Sequence, residues 1–218
     1  MIWLSENTTN FPSIEYVSEE GIIAIGGDLS SERLVNAYKN GIFPWYNEGE
    51  PILWYCPNPR MVLFFEQLHV SKSMKQLLRK NTYRITFNQA FEEVIFNCKK
   101  VERYDGLGTW ITDDMQKAYI ALHKKGIAKS VEVWRDSELV GGLYGMDLGN
   151  IFCGESMFSK ESNTSKIAFI HLAQKLEREN YLLLDCQVYN KHLESLGAEE
   201  IPREFFLKLL KNTNKKEL

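Results

Sequence analysis

Hydrophobic and polar positions recur along this chain with two periods, which predict a protein of mixed helices and strands. Helical spacing, with start signals at Ser30, Thr112 and Pro202, predicts one short helix before Gly41 and five further helices. These five cover residues 71–79, 87–99, 113–124, 164–179 and the stretch from 202 onward. Short apolar or alternating runs predict strands at residues 61–65, 130–135, 138–146, 151–158 and 181–187. Three of these strands follow one another through tight turns and should form a meander.

The predicted helix at residues 164–179 lies between two predicted strands. Such a strand–helix–strand unit is a right-handed crossover that sets its two strands parallel. Ligands of parallel sheets bind beyond the carboxyl ends of the strands, which is where Glu155 and Asp185 lie. Period-two alternation puts Asp185 and Gln187 on one face of the last strand, and Leu184 and Cys186 on the other.

The first sixty residues differ in composition from the rest. Residues 41–60 carry four prolines among five aromatic residues, so we predict an irregular segment that is nonetheless packed. Its aromatic side chains either fill a seam between domains or form the wall of a ligand pocket. The expected fold class is α+β, with a small N-terminal domain at residues 1–62 and a larger mixed-sheet domain at residues 63–218.

Composition and charge limit the classes of protein that fit. With 44% hydrophobic and 25% charged residues, the 218-residue chain has the balance of a globular protein. No apolar run approaches the ~18 residues of a membrane span, and no signal peptide is visible, so we expect a cytoplasmic protein without a membrane partner. The four cysteines form no CxxC pair, so we expect buried thiols and no zinc or redox site.

A run of basic residues stands out in this chain of net charge −3. It could be a solvated helix face, or it could contact a phosphate backbone with salt-dependent affinity. The residues concerned, which have no acid between them, are Lys72, Lys75, Arg79, Lys80 and Arg84.

Two acids are the strongest candidates for chemistry. Asp185 follows apolar residues and should be buried, so its carboxylate needs a partner. It could be a structural acid bonded to backbone amides or a lysine, or it could bind a cationic substrate group together with Glu155. A metal is a weaker alternative because no His or Cys stands at ligand spacing.

No histidine is placed for a nucleophilic triad, and no GxGxxG or Walker pattern predicts a nucleotide cofactor. The two adjacent glycines at residues 141–142 instead suit a β-bulge or a place where another backbone segment approaches closely.

Several motifs together resemble one family. In chain order they are GGDLS at 26–30, GIFPWY at 41–46, ILWYCPNPR at 52–60, GTWIT at 108–112, GGLYG at 141–145, CGESMFS at 153–159, LDCQ at 184–187 and SLGAEEIPR at 195–203. This set resembles the bacterial leucyl/phenylalanyl-tRNA–protein transferase family. The larger domain of that family resembles the acetyltransferase fold of the GNAT superfamily. Two departures are WYCPN at 54–58, where the family usually shows WWSPD, and a short tail after residue 210.

The resemblance implies transfer of Leu or Phe, and more weakly Met, from aminoacyl-tRNA to proteins that begin with Arg or Lys. The product is an N-degron, a signal for protein degradation, and no cofactor is implied. Family positions for catalysis and acceptor recognition fall on Glu155, Asp185 and Gln187. The basic run would contact the tRNA. Positions of the aminoacyl pocket fall on Trp45, Trp110, Leu143, Phe152, Met157, Phe169, Leu172 and Leu184.

The expected mechanism needs no strong base. The ester is already activated, and an α-amine with a pKa of about 7.7 to 8.0 is partly neutral at physiological pH. We therefore expect Asp185, beside Gln187, to polarise or deprotonate the amine while Glu155 holds the basic side chain.

Two rival functions remain open at this stage. An acyl-CoA-dependent acetyltransferase would need a glycine-rich pyrophosphate loop, and residues 158–164 contain no glycine. A non-catalytic RNA-binding module would place paired acids beside phosphates, which is unfavourable.

Overall fold

A computed structural model describes residues 2–101 and 111–213, and within these ranges the chain forms two sheets, seven α-helices and two short 3-10 helices. The strands are β1 (Trp3–Leu4), β2 (Ile22–Gly26), β3 (Phe43–Pro44), β4 (Leu53–Tyr55), β5 (Arg60–Leu63), β6 (Arg84–Phe87), β7 (Ala128–Arg135), β8 (Glu138–Asp147), β9 (Ile151–Ser159), β10 (Leu183–Gln187) and β11 (Glu199–Ile201). The helices are α1 (Ser31–Lys39), α2 (Lys72–Arg79), α3 (Phe91–Lys99), α4 (Asp113–Lys124), α5 (Thr164–Arg178), α6 (Lys191–Glu194) and α7 (Arg203–Thr213). The four-stranded sheet has the order β1-β2-β4-β3, and the seven-stranded sheet has the order β11-β5-β10-β9-β8-β7-β6.

The predicted mixed α and β architecture is confirmed. Strands β7, β8 and β9 form the expected antiparallel meander. Helix α5 then crosses over, and β10 pairs with β9 in parallel, with Leu183 opposite Ile151. The predicted start signals also hold, since the hydroxyls of Ser30 and Thr112 accept hydrogen bonds from the first turns of α1 and α4.

Residues 41–60 are irregular over most of their length, as predicted, but not throughout. They contain β3 and β4, which complete the small sheet by pairing Phe43 with Tyr55 and Pro44 with Trp54. Strands of two or three residues between prolines are too short to show a period in the sequence. The sequence pattern also did not predict the four-residue strand β6, which carries Arg84, or the three-residue strand β11 at the opposite edge of the large sheet.

The hydrophobic core lies on both faces of the large sheet. The core on the face beneath α5 includes Leu143, Phe169 and Leu184. The core on the other face continues into the small sheet, so that Trp54 packs in the same cluster as residues of α3, α4 and α7. The four cysteines are buried free thiols, as predicted. No helix within the described ranges is long and apolar enough to cross a bilayer.

The start of α5 packs directly on β8 at Gly141, which confirms the predicted close backbone approach. A Cβ at this position would lie 2.4 Å from the Cβ of Thr164.

We expect Gly141→Ala to lower the free energy of unfolding by about 1 to 3 kcal/mol, because there is no room for the extra methyl group beside Thr164. Urea unfolding measures the change. Gly154→Ala is the matched control, since its Cβ would meet no atom closer than 3.6 Å and should change stability by less than about 0.5 kcal/mol. Equal values for the two variants would contradict the close contact.

Candidate active site

A cavity of about 390 Å³ lies between β9 and β10, beyond the point where they pair. The last paired residues are Cys153 and Asp185, and β9 continues past them without β10 as a partner. On its other side β9 has a bulge: Tyr144 of β8 faces Ser156, Gly145 faces Gly154, and Glu155 is the extra residue between them. The unpaired strand ends and this bulge create the space and direct Glu155 toward it.

Most of the expected aminoacyl pocket surrounds this cavity. The expected residues that line it are Trp45, Leu143, Met157, Phe169, Leu172 and Leu184. Phe152 is buried in the adjacent core without lining the cavity, and Trp110 lies outside the described residues. The volume of the cavity is that of a small-molecule site, and the predominantly apolar wall of the cavity suits a large apolar side chain.

Sequence reasoning missed other residues of the wall. Pro44 comes from the small sheet, Val101 follows α3, and Val188 and Asn190 follow β10, whereas Phe43 belongs to the aromatic segment for which a pocket wall was one of the two interpretations. Val188 and Asn190 could have been found, since they continue the chain beyond the carboxyl end of a parallel strand. Nothing in the sequence pointed to Val101.

Glu155 and Gln187 form the polar end of the cavity. The Gln187 side-chain amide donates to Glu155 Oε1 at 3.0 Å, and the Tyr119 hydroxyl donates to Oε2 at 3.1 Å. The Tyr119 and Tyr38 hydroxyls are also hydrogen-bonded to each other. Burial raises the pKa of Glu155 to about 7, against the hydrogen bonds from Tyr38 and Tyr119. A carboxyl group with this pKa can bind a cation or exchange a proton near neutral pH.

Asp185 is fully buried and does not line the cavity. The Arg60 guanidinium holds its carboxylate in a bidentate pair, with Nε 2.8 Å from Oδ1 and Nη2 2.6 Å from Oδ2. Oδ1 also accepts the backbone N–H of Gln187 at 3.0 Å. Of the two alternatives left open by the sequence, this geometry favours a structural acid, and its cation is an arginine rather than a lysine.

The expected alternation of side chains along β10 is correct up to Cys186 and fails at Gln187. The register shifts between Asp185 and Gln187, and Gln187 has a left-handed backbone with φ of +60°. Leu184 and Cys186 line the cavity together, as expected for one face, but Gln187 also lines it instead of staying on the face of Asp185. The prediction failed here because the backbone is held by the Asp185 side chain, which no periodicity reports.

The basic run lies on α2 and β6, and none of its residues lines the cavity. All five side chains are exposed, and none forms an ion pair within the part of the chain that the structure describes. The Arg84 guanidinium lies over the Trp134 ring, 5.1 Å from its centroid.

The start of α5 does not fit a CoA pyrophosphate. The Ser165 N–H is already bonded to the Ser159 hydroxyl at 2.9 Å, and the Thr164 N–H to the Glu161 carbonyl at 3.2 Å. The Glu161 carboxylate, ion-paired with Arg135, would also repel an anion there. No group of three or more metal-ligating side chains occurs among the described residues.

Comparison with known proteins gives a consistent picture. Residues 62–211 match the family described as leucyl/phenylalanyl-tRNA protein transferase, and residues 27–58 match the N-terminal domain of that family. The leucyl/phenylalanyl-tRNA–protein transferase of Flavobacterium johnsoniae is 63% identical over 202 residues, covering 93% of this chain and 95% of the relative. The Pseudomonas fluorescens (strain Pf0-1) protein of the same name is 51% identical over 208 residues, covering 94% and 92%. Among solved structures, a GCN5-related N-acetyltransferase from Kribbella flavida aligns with a TM-score of 0.35 and 10% identity, covering 76% of this chain and 58% of that one.

Proposed function

The chain belongs to the leucyl/phenylalanyl-tRNA–protein transferase family of aminoacyltransferases, and we propose that it transfers Leu or Phe, and more weakly Met, from aminoacyl-tRNA to proteins. The acceptor is the α-amino group of a protein that begins with Arg or Lys, and the product is an N-degron that marks the protein for degradation. One observation carries the proposal: a single cavity joins an apolar wall to the hydrogen-bonded pair of Glu155 and Gln187.

The apolar wall selects the aminoacyl group. Burying a Leu or Phe side chain against Leu143, Met157 and Phe169 is worth about 1.5 to 3 kcal/mol, which favours these amino acids over small or polar ones. A single methylene discriminates by only about 1 to 3 kcal/mol, so rejection of Val and Ile depends on the shape of the cavity.

The polar end receives the cationic start of the acceptor protein. Ionised Glu155 attracts the positive charge, and its pKa of about 7 lies close to that of an α-amine, so it can accept the ammonium proton. The neutral nitrogen attacks the ester carbonyl carbon, a C–N bond forms, and the C–O bond to the ribose breaks. The ribose oxygen leaves as a hydroxyl with the second proton that the nitrogen loses as it becomes an amide, and Glu155 releases the ammonium proton to solvent. In this proposal Asp185 positions Gln187 and does not contact the amine.

Aminoacyl transfer without CoA tests this function. The protein is incubated with radiolabelled Leu-tRNA or Phe-tRNA and a peptide that begins with Arg. We expect label in the peptide, and none when the peptide begins with Glu or carries an acetylated N-terminus. Transfer only from acetyl-CoA would support an acetyltransferase instead, and tRNA binding without transfer would support an RNA-binding module.

The exposed basic run is the proposed tRNA contact. We expect the double charge reversal Lys72→Glu/Arg79→Glu to raise KM for Leu-tRNA by about tenfold at low salt with little change in kcat, because phosphate contacts position the tRNA. Steady-state kinetics at two salt concentrations measures the effect. Lys117→Glu/Lys124→Glu on exposed positions of α4 changes the net charge equally and is the control. An equal rise in KM for both pairs would exclude a specific contact at α2.

A further inference from the structure

Arg60 is a fully buried cation at the start of β5, with 1% of its surface exposed. Its guanidinium lies between two aromatic rings, 5.0 Å from the centroid of Phe43 and 4.6 Å from that of Phe206. Nη1 donates to the Gly41 carbonyl at 3.0 Å, and the remaining bonds hold Asp185. One side chain therefore contacts the small sheet, the C-terminal helix α7 and the end of β10.

The Asp185 carboxylate connects the buried Arg60 to the polar end of the cavity. Its Oδ1 atom accepts the N–H of Gln187, two residues along the chain, and closes a turn around the left-handed Gln187 backbone. A left-handed conformation costs a non-glycine residue roughly 1 to 2 kcal/mol, and here two bonds offset that cost: this one and the backbone bond from the Val188 N–H to the Cys186 carbonyl at 2.9 Å. In this conformation the Gln187 amide is aimed at Glu155.

Arg60 also fixes the opposite wall of the cavity. The bonded Gly41 carbonyl lies two residues before Phe43, and Phe43, Pro44 and Trp45 all line the cavity. The apolar wall that would take the aminoacyl group and the amide that orients Glu155 are thus set by the same guanidinium.

We propose that Arg60 is a positioning residue for aminoacyl transfer. It holds the Gln187 side chain against Glu155, and it fixes the position of the cavity wall at residues 43–45 relative to both. This inference rests on the proposed function. A misplacement of about 1 Å between reacting groups can lower a rate by about 100-fold, so the effect should fall on kcat rather than on tRNA affinity.

The first test compares two buried arginines in the intact protein. We expect Arg60→Lys, which keeps the charge but loses the bidentate geometry, to lower kcat by about 10- to 100-fold with KM for Leu-tRNA changed by less than about threefold. Arg33→Lys is the matched control, because Arg33 is also fully buried and pairs with a carboxylate, but its side chain bonds to Asp28 and Ser5, neither of which lines the cavity. It should keep the wild-type kcat.

The pH profile provides a readout that a merely structural residue would not move. The groups facing Glu155 are Tyr38 from α1, Tyr119 from α4, Tyr144 from β8, Cys153 from its own strand β9, Asp185 from β10 and Arg60 from β5. Arg60 lowers the pKa of Glu155 and Asp185 raises it. We therefore expect Arg60→Met to shift the acidic limb of kcat/KM to higher pH, and Arg60→Met/Asp185→Asn to shift it back.

A milder variant keeps the inference testable if Arg60 variants do not fold. Phe206 packs on the guanidinium and beside Gly41 but does not line the cavity, so Phe206→Leu should lower kcat by about threefold by loosening the packing around Arg60. Phe205→Leu, at a half-exposed position of the same helix, should leave kcat unchanged.

The outcomes separate this inference from the proposed function. If the wild-type protein transfers no label, the proposed function fails first. If the wild type is active but Arg60→Lys behaves like Arg33→Lys, or Phe206→Leu behaves like Phe205→Leu, the positioning role of Arg60 is overturned.

Discussion

Replacing Glu155 with glutamine is expected to lower kcat/KM for an Arg-initiated peptide by about 100- to 1000-fold, the range typical of losing a proton-transfer group. Glutamine keeps the size of the side chain and can still bond to Gln187 and Tyr119, so the cavity should keep its shape. What it loses is the negative charge and the ability to accept a proton. Steady-state transfer assays with saturating Leu-tRNA measure the effect.

The pH dependence gives this variant a second signature. The wild-type kcat/KM should rise as pH increases through about 7, because only ionised Glu155 can attract the cation and take the proton. The variant should lack that limb. Glu93→Gln, on the exposed face of α3, should retain both the rate and the limb. A pH profile that is unchanged in Glu155→Gln would show that another group titrates.

Stability should move in the opposite direction to activity. The pKa of Glu155 rises on folding from an ordinary value of 4.5 to about 7, so the stability that this group contributes at low pH is lost as pH increases through 7. Glutamine carries no such penalty. At pH 8 we therefore expect Glu155→Gln to unfold at the same urea concentration as the wild type or at a higher one.

Removing the Asp185 side chain is expected to cost about 3 to 5 kcal/mol of unfolding free energy, because Asp185→Ala leaves the Arg60 charge buried without a partner. Urea unfolding of a protein this size resolves such a loss easily. Asp114→Ala removes one member of the exposed pair with Lys117 and should change stability by less than about 1 kcal/mol.

A second variant separates the cost of the orphaned charge from that of the lost side chain. The combination Arg60→Met/Asp185→Leu removes both charges and should recover part of the stability lost in Asp185→Ala. It should not recover transfer activity, since Gln187 no longer has the carboxylate that holds its backbone. A double variant as unstable as the single one would mean that the ion pair is not the source of the loss.

The parts of the fold that the sequence predicted are those encoded in local periodicity. Long alternating runs gave the β7–β9 meander, and the apolar runs on either side of a helical pattern gave the parallel pair of β9 and β10. That topology placed Glu155 beside the end of β10, but the residue that meets it at the cavity is Gln187 and not Asp185, which was expected to share the cleft with Glu155. The residues of the apolar wall came instead from the family resemblance, which also named Trp110, outside the described ranges.

What the sequence did not predict depends on contacts between distant residues. A buried carboxylate at Asp185 requires a hydrogen-bonding or charged partner, but no local sequence pattern identifies that partner as Arg60, which lies 125 positions away. Local sequence patterns likewise do not predict the hydrogen bond between the hydroxyls of Tyr38 and Tyr119, which are 81 positions apart. The left-handed turn at Gln187 ended the alternation of β10 because a side chain, rather than a ladder partner, fixes that backbone.

The shared core of the two sheets restricts how this protein can be recombined with its relatives. The first sixty residues supply Phe43 and Trp45 to the cavity, and they meet the rest of the chain through matched pairs such as Tyr38 with Tyr119 and Gly41 with Leu207. A chimera that exchanges only the first sixty residues would separate these pairs. Grafting the N-terminal part onto another member's catalytic part therefore requires transplanting both sides of the junction together.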